Sequence, residues 1–227
     1  MYPFFDSSII LLIPAFLLAM WAQFNVKSTF ARYSKIRARK GSTAAEVCRM
    51  LLDKAGLSNV PVNRVAGHLS DHYDPLKRTV NLSESVYGSY SIASLGVAAH
   101  ECGHAIQHSL GYSPLMLRNA IVPVVSLSSN LAIPLFFVGL LLSAAGLMTL
   151  GILLFTGVIV FHLVTLPVEF NASSRALAAL GSTGTLSPDE LTGARAVLRA
   201  AAWTYIAAAV MAAMQLLRLI ILKNRRS

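Results

Sequence analysis

Charged residues are scarce in this chain. Only 13% of its 227 residues are charged and 55% are hydrophobic, whereas a soluble domain carries charge on about a quarter of its residues. This scarcity argues against a soluble protein and favours one that lies in a lipid bilayer. The sequence also has no internal repeat and no low-complexity tract, which argues against solenoid and linker-like architectures.

Cysteine is scarce as well. Cys48 and Cys102 are the two cysteines, too few for a disulfide framework. Cys102 also lies inside a motif where a bridge would disturb its neighbours. We therefore expect two free thiols.

Basic residues are in excess, with a formal net charge of +9. They cluster at the edges of apolar segments, where they meet lipid headgroups and orient helices in the membrane. No basic face interleaved with aromatic residues is present. We therefore expect the lipid bilayer, and not nucleic acid, as the partner of this charge.

Uncharged runs predict about four transmembrane helices. Residues 8–24 form the first, expected to be a retained anchor because the positive charges follow the apolar run, unlike those of a signal peptide. The nearly uncharged stretch 121–168 is long enough for two crossings joined near 143–146, and 200–222 forms the fourth.

The basic residues after the first span predict its orientation. Under the positive-inside rule they stay in the cytoplasm, which places the N-terminus outside: Lys27, Arg32, Lys35, Arg37, Arg39 and Lys40. Four crossings would then leave the basic tail, residues 223–226, outside, against the same rule. Either the first cluster dominates, or the last helix, interrupted by Arg218, is only partly inserted.

The polar part of the chain predicts a small α+β element. Its signals are, in order, a helix capped by Ser42 or Thr43 and ended at Gly56, a strand at 59–65, a hairpin at 71–82 and a helix capped by Ser91. The predicted fold class is a mostly α-helical membrane protein with this small cytoplasmic element. Five segments are expected: 1–26, 27–118, 119–168, 169–200 and 201–227.

The sequence His100-Glu101-Cys102-Gly103-His104 matches the pattern H-E-x-x-H. Residues four apart lie on one helix face, so two imidazoles can bind one ion. Zinc lowers the pKa of bound water to about 7, and the intervening Glu101 can take its proton as the catalytic base. The competing interpretation is a chance pentapeptide on a buried helix.

A catalytic zinc site takes three protein ligands, so a third is expected elsewhere. The metzincin pattern fails because Gln107 and Leu110 stand where it needs glycine and histidine. His108 is rotated by about 40° from His104 around the helix, which carries its ring away from the ion.

Carboxylates are the remaining candidates for the third ligand: Glu46, Glu84, Glu169, Glu190, Asp71 and Asp74. Topology favours Glu169, because the transmembrane hairpin returns it to the face where the His100 helix begins. A charge at the end of an apolar run is costly unless it is paired. The alternative is a helix-end carboxylate that reaches water.

Several stretches resemble the YugP-like family of neutral membrane zinc metallopeptidases: 71–75, 81–83, 98–107, 166–173 and 193–205. More distantly, the chain is similar to the HtpX and CAAX-prenyl-protease class of membrane gluzincins. The resemblance implies a zincin-like element with one zinc ion bound by His100, His104 and Glu169, and Glu101 as base. Asn171 and Ser173 depart from the pattern. The YugP-like family more often has Asp at the position of Asn171, and the HtpX class has Asp at that of Ser173, which leaves open whether a carboxylate contacts a zinc-bound histidine.

Other polar residues are weaker candidates. His72 or Tyr73, in the hairpin, could donate to the oxyanion while the edge strand holds the substrate backbone, or they could simply build the turn. His162, Asn171 and Arg175 could contact the ligands or a nearby acidic group. For His162 a helix–helix contact is an equal alternative, and for Arg175 a solvated position.

The sequence therefore predicts a membrane-bound zinc endopeptidase that hydrolyses peptide bonds of membrane-associated proteins or peptides at the cytoplasmic face of the cell membrane. Its expected partners are a polypeptide substrate and the lipid bilayer. A zinc-binding scaffold without turnover is the alternative, although an intact Glu101 argues against it. A metal transporter would need more ionisable groups in 121–166 than His162 alone.

Overall fold

The fold is mainly helical, and the computed structural model describes residues 7–225. A short 3-10 turn, Ser7–Leu11, leads into the first helix. The elements are α1 (Leu12–Tyr33), α2 (Ala44–Lys54), β1 (Val62–Val65), β2 (His72–Asp74), β3 (Thr79–Ser83), α3 (Glu84–Tyr87), α4 (Ile92–Ser109), α5 (Ser113–Leu141), α6 (Ala145–Ser182) and α7 (Pro188–Asn224). The predicted fold class, a mostly α-helical membrane protein with a small α+β element, is confirmed.

Among the described residues, four helices are long and apolar enough to cross a membrane: α1 with its leading turn, α5, α6 and α7. Large apolar side chains on these helices are exposed, among them Phe24 at 72%, Val124 at 65% and Leu153 at 63%. Contiguous exposed apolar surface of this kind is costly in water and favourable against lipid. The predicted number of transmembrane helices agrees with this count.

The chain forms two compact units. The first consists of residues 1–23, 117–166 and 203–227, and its described part is made of long apolar helices. Gly139 and Gly151 allow α5 and α6 to approach closely. A Cβ added at Gly139 would lie 2.7 Å from the Met148 nitrogen, and one added at Gly151 would lie 2.8 Å from the Ala132 carbonyl oxygen. Small residues at such contacts are typical of membrane helix pairs.

The second unit consists of residues 24–116 and 167–202 and contains the small sheet, whose strand order is β1-β3-β2. β1 pairs with β3 in parallel, and β2 pairs with β3 antiparallel, with His72 opposite Asn81. This is the predicted hairpin. The Asp74 carboxylate closes its turn by accepting from the backbone of Leu76 and Lys77 at 2.9 and 3.0 Å.

Side-chain caps fix where the helices begin. Thr43 caps α2 in a capping box with Glu46, and Ser91 caps α4 by accepting from the Ser94 nitrogen at 3.2 Å. Each cap satisfies N–H groups that the first helical turn leaves without partners. Both helix starts agree with the sequence prediction.

Two helices run across expected segment boundaries, which lie close to where the chain passes between the two compact units, at residues 166–167 and 202–203. α6 runs unbroken through residue 168 to Ser182, and α7 runs unbroken from Pro188 past Arg218 to Asn224. The change from apolar to polar composition marks a change of surroundings, but the alanine-rich sequence beyond Glu169 continues to favour helix. At 38 residues, α6 is about 57 Å long, well beyond a hydrocarbon core of about 30 Å. The N-terminal start at residues 1–6 and the last two residues lie outside the described part.

α4 and α6 approach closely at Gly103. A Cβ at Gly103 would lie 2.7 Å from the Ala172 carbonyl oxygen, a backbone atom that cannot move alone. On the same helix, a Cβ at Gly96 would meet Ala194 at an ordinary 3.5 Å. Only the first of these two glycines is required by packing.

We expect Gly103→Ala to destabilise the protein by about 1–3 kcal/mol, because the added methyl group forces the two helices apart. Gly96→Ala is the matched control, and it should be neutral or stabilising by up to about 1 kcal/mol through helix propensity. Thermal unfolding of both variants in detergent measures the difference. Equal melting temperatures for the two would contradict the close approach.

Candidate metal centre

Two histidines of α4 and one glutamate of α6 converge on one point. The rings of His100 and His104 are 4.7 Å apart between centroids and nearly perpendicular. Glu169 Oε2 lies 3.2 Å from His100 Nε2 and 3.6 Å from His104 Nε2. The three candidate ligand atoms all lie within 4.8 Å of one another, so one ion can contact all of them.

The helix contact at Gly103 sets this convergence. Gly103 lies between His100 and His104 in the sequence and faces the backbone of Ala172. Ala172 is three residues, less than one helical turn, after Glu169. Because the helices touch there, the carboxylate reaches both imidazoles without a loop between them. Glu169 is 3% exposed and His104 7%, so the site is largely shielded from water.

Gln107 fixes the orientation of His104. Its amide nitrogen donates to the Val168 carbonyl at 2.8 Å and to Asn171 Oδ1 at 3.0 Å. Since both amide protons face acceptors, Gln107 Oε1 accepts from His104 Nδ1 at 3.0 Å. The lone pair of His104 is then on Nε2, directed towards Glu169. Arg175 Nε also donates to Asn171 Oδ1, at 2.7 Å, which completes the chain of hydrogen bonds.

Ser173 has the same relation to His100. Its hydroxyl lies 3.1 Å from His100 Nδ1, opposite the Nε2 atom that faces Glu169. Partners of this kind set the tautomer and the ring orientation of a ligating histidine. Among residues 7–225, the Nδ1 atoms of the two histidines therefore contact an amide and a hydroxyl. Neither contact is with a carboxylate.

The electrostatics of the site favour positive charge. Burial by itself lowers the pKa of His104, but the carboxylates of Glu169 and Glu101 outweigh it and leave that pKa raised. A pair of imidazoles facing carboxylates in a shielded site attracts a cation, whether a proton or a metal ion.

The two cysteines are free, as expected. Cys48 and Cys102 are buried, with their sulfur atoms 2.7 Å apart. Burial and the neighbouring Cys48 thiol raise the pKa of Cys102 well above its usual value. A thiol held in this form is a poor metal ligand, and the candidate ligand group does not include it.

The remaining sequence candidates lie in different places. His72 donates from Nδ1 to the Ser70 carbonyl at 2.8 Å, with Nε2 3.1 Å from the Asn81 amide. The Tyr73 hydroxyl contacts His108 Nδ1 at 2.9 Å. His162 packs edge-on against its neighbour Phe161 and is not in the ligand group. Their functional roles stay predictions.

Two residues of the site were not among the sequence candidates, Gln107 and Ser173. A helical spacing could have indicated both. Gln107 is three residues after His104, and Ser173 is four after Glu169, so each lies on the same helix face as a candidate ligand.

Comparisons with known proteins point to a family of zinc peptidases. Residues 8–224 match a protein family described as "Putative neutral zinc metallopeptidase". The chain is 50% identical over 214 residues to the "Putative membrane protease YugP" of Bacillus subtilis (strain 168), covering 94% of this chain and 95% of that protein. No solved structure matches the chain.

We expect Gln107→Leu to weaken metal binding by roughly 10- to 100-fold, the usual effect of removing a group that orients a histidine ligand. Competition with a chelator on the purified protein measures the affinity. Ser109→Ala is the control, since it removes an exposed hydroxyl near the end of the same helix. This variant should bind the metal as tightly as the wild type. An unchanged affinity in Gln107→Leu would show that His104 is oriented without it.

Proposed function

The chain belongs to the neutral zinc metallopeptidase family, and from this we propose that it is a membrane-bound, zinc-dependent endopeptidase acting on membrane-associated proteins or peptides. One observation carries the proposal: His100, His104 and Glu169 place three ligand atoms within 4.8 Å of one another, next to Glu101 on the same helix. The relative from Bacillus subtilis is named a "Putative membrane protease", which supports a membrane-bound protease.

The chemistry of the ligand atoms fits zinc. Two imidazole nitrogens and one carboxylate oxygen form the usual protein ligand set of catalytic zinc in gluzincins, which keeps one position open for water. A structural zinc site has four protein ligands, whereas the ligand group found among residues 7–225 has three. This difference favours an enzyme over a scaffold without turnover.

Bound zinc would supply Lewis acidity, lowering the pKa of water to about 7 and polarising the substrate carbonyl. Glu101 supplies the proton transfer. Its carboxylate is 8% exposed and makes no hydrogen bond to any residue from 7 to 225, so it is available to accept a proton from the attacking water. The same carboxyl group then donates that proton to the leaving amine.

The edge strand β2 is the proposed support for the substrate backbone. Its partner strand β3 lies on one side, and an extended peptide can add to the other side through main-chain hydrogen bonds. Of the two candidates for stabilising the oxyanion, Tyr73 is favoured over His72. A hydroxyl rotates towards a new acceptor readily, whereas the His72 ring is hydrogen-bonded at both nitrogens.

We expect Glu101→Gln to retain zinc and to lose peptide cleavage by roughly 10²- to 10⁴-fold, because only the proton transfer is removed. Glu169→Gln should lose zinc as well as activity. Metal content and cleavage of a mixed peptide library are measured on the same detergent-purified samples. Full zinc content in Glu169→Gln would exclude it as a ligand, and wild-type protein that binds zinc but cleaves nothing would exclude the endopeptidase.

We also propose that the active site faces the cytoplasm. The six basic residues between 27 and 40 support this, since such clusters stay on the cytoplasmic side. Leu76, 94% exposed in the β2–β3 turn, lies before the crossing of α5, and Leu142, 69% exposed, lies after it. The two residues therefore report on opposite faces of the membrane.

We expect a membrane-impermeant maleimide to label Leu142→Cys in intact cells and Leu76→Cys only after permeabilisation. The wild-type chain is a suitable background because its own two cysteines are buried. The reverse labelling pattern would place the active site outside.

A further inference from the structure

A cavity of about 170 Å³ lies in the second unit, beside the C-terminal half of α4. Tyr73, Arg78 and His108 line it, together with Asn59 and Ala105 and three further residues. None of the candidate metal ligands lines it, and neither does Glu101. The cavity is therefore distinct from the ligand group, although Tyr73, the favoured candidate for stabilising the oxyanion, lies on its wall.

Arg78 gives the cavity its charge. No acidic side chain is among the lining residues, and within residues 7–225 Arg78 has neither an ion pair nor a hydrogen bond. Its backbone has a φ of +53°, a left-handed conformation that non-glycine residues adopt uncommonly. Arg78 is exposed and so reaches solvent at the mouth of the cavity, where its guanidinium can meet an anion from outside the chain.

The neighbouring groups are hydrogen-bond donors. Burial and the charge of Arg78 lower the pKa of His108, so its imidazole is neutral at pH 7. Burial raises the pKa of Tyr73, so its hydroxyl keeps its proton and can donate to His108 Nδ1 over the 2.9 Å between them. The ring proton of His108 is then on Nε2. The Asn59 amide adds further N–H groups.

The cavity lies within reach of a peptide at the metal centre. Of the lining residues, Ala105 directly follows His104, and His108 is about one helical turn beyond His104, a rise of about 6 Å along the helix. An extended peptide advances about 3.3 Å per residue. A group bound in the cavity would therefore belong to a residue about two positions from the bond being cleaved.

We propose that this cavity is a substrate subsite for a carboxylate, bound by Arg78 and by hydrogen-bond donors of His108 and Asn59. The inference rests on the proposed peptidase function and deepens it, because it gives the substrate a chemical class. The carboxylate is either an acidic side chain near the scissile bond or the C-terminal carboxylate of a short peptide. Both present the same planar anion to the guanidinium.

Peptide binding to zinc-loaded Glu101→Gln protein tests the subsite without cleavage. The probes are one extended peptide carrying Glu, Gln or Lys at each successive position, each made with a free and with an amidated C-terminus. We expect roughly two- to fivefold tighter binding for the peptide with a carboxylate at the matching position, as for an exposed ion pair. Loss of the preference on amidation alone would identify the chain end, and loss on Glu→Gln alone would identify the side chain.

Variants of Arg78 assign the preference to this cavity. Arg78→Asn, made in the same background, removes the charge with a residue that tolerates a left-handed backbone, and it should bind all peptides alike. Arg78→Glu should reverse the preference towards lysine. Lys77→Asn is the matched control, a neighbouring cation of the same turn that does not line the cavity, and it should keep the wild-type preference.

Three results would overturn the subsite: no preference among the peptides, a preference that survives Arg78→Asn, or an equal loss in Lys77→Asn. A separate cleavage assay on the protein with intact Glu101 keeps the two proposals apart. If a carboxylate preference depends on Arg78 but no peptide is cleaved, the subsite stands and the endopeptidase proposal fails. If peptides are cleaved without any carboxylate preference, the reverse holds.

Discussion

The candidate site depends on the close packing of two helix backbones. At Gly103 an added Cβ would lie 2.7 Å from the carbonyl oxygen of Ala172, so α4 and α6 touch without a side chain between them. This contact lets Glu169 face both His100 and His104, and it brings Gln107 within hydrogen-bond distance of the Val168 carbonyl. The ligand group and the residues that orient it therefore depend on the absence of a side chain at Gly103.

The sequence contained most of the ligand set and little of what orients it. His100 and His104 follow from helical spacing alone, a property of one element. Glu169 could be favoured because α5 and α6 form a hairpin that returns to its starting face, a property of topology. The contact of Gln107 with His104 is local as well, but its contact with Val168 depends on how α4 and α6 are rotated against each other. No local pattern in the sequence encodes that rotation.

Fold boundaries show the same division. Caps at Thr43 and Ser91 are local hydrogen bonds, and the sequence predicts them correctly. The expected boundary between residues 168 and 169 falls inside α6, close to where the chain passes between the two compact units, because a change in hydrophobicity reports where the surroundings of a helix change and not where its backbone hydrogen bonds end. α6 continues across that point, and its helix therefore belongs to both compact units.

The continuity of α6 has a consequence for the metal centre. A carboxylate near the end of an apolar run is costly unless a partner stabilises its charge. Glu169 is 3% exposed, and its partners are two imidazoles whose Nδ1 atoms are held by Gln107 and Ser173. These partners lie on α4, which is not among the candidate membrane spans, while Glu169 lies on α6, which is long and apolar enough to cross a membrane. The ligand group thus needs both kinds of helix, because the buried carboxylate of one is stabilised by the imidazoles of the other.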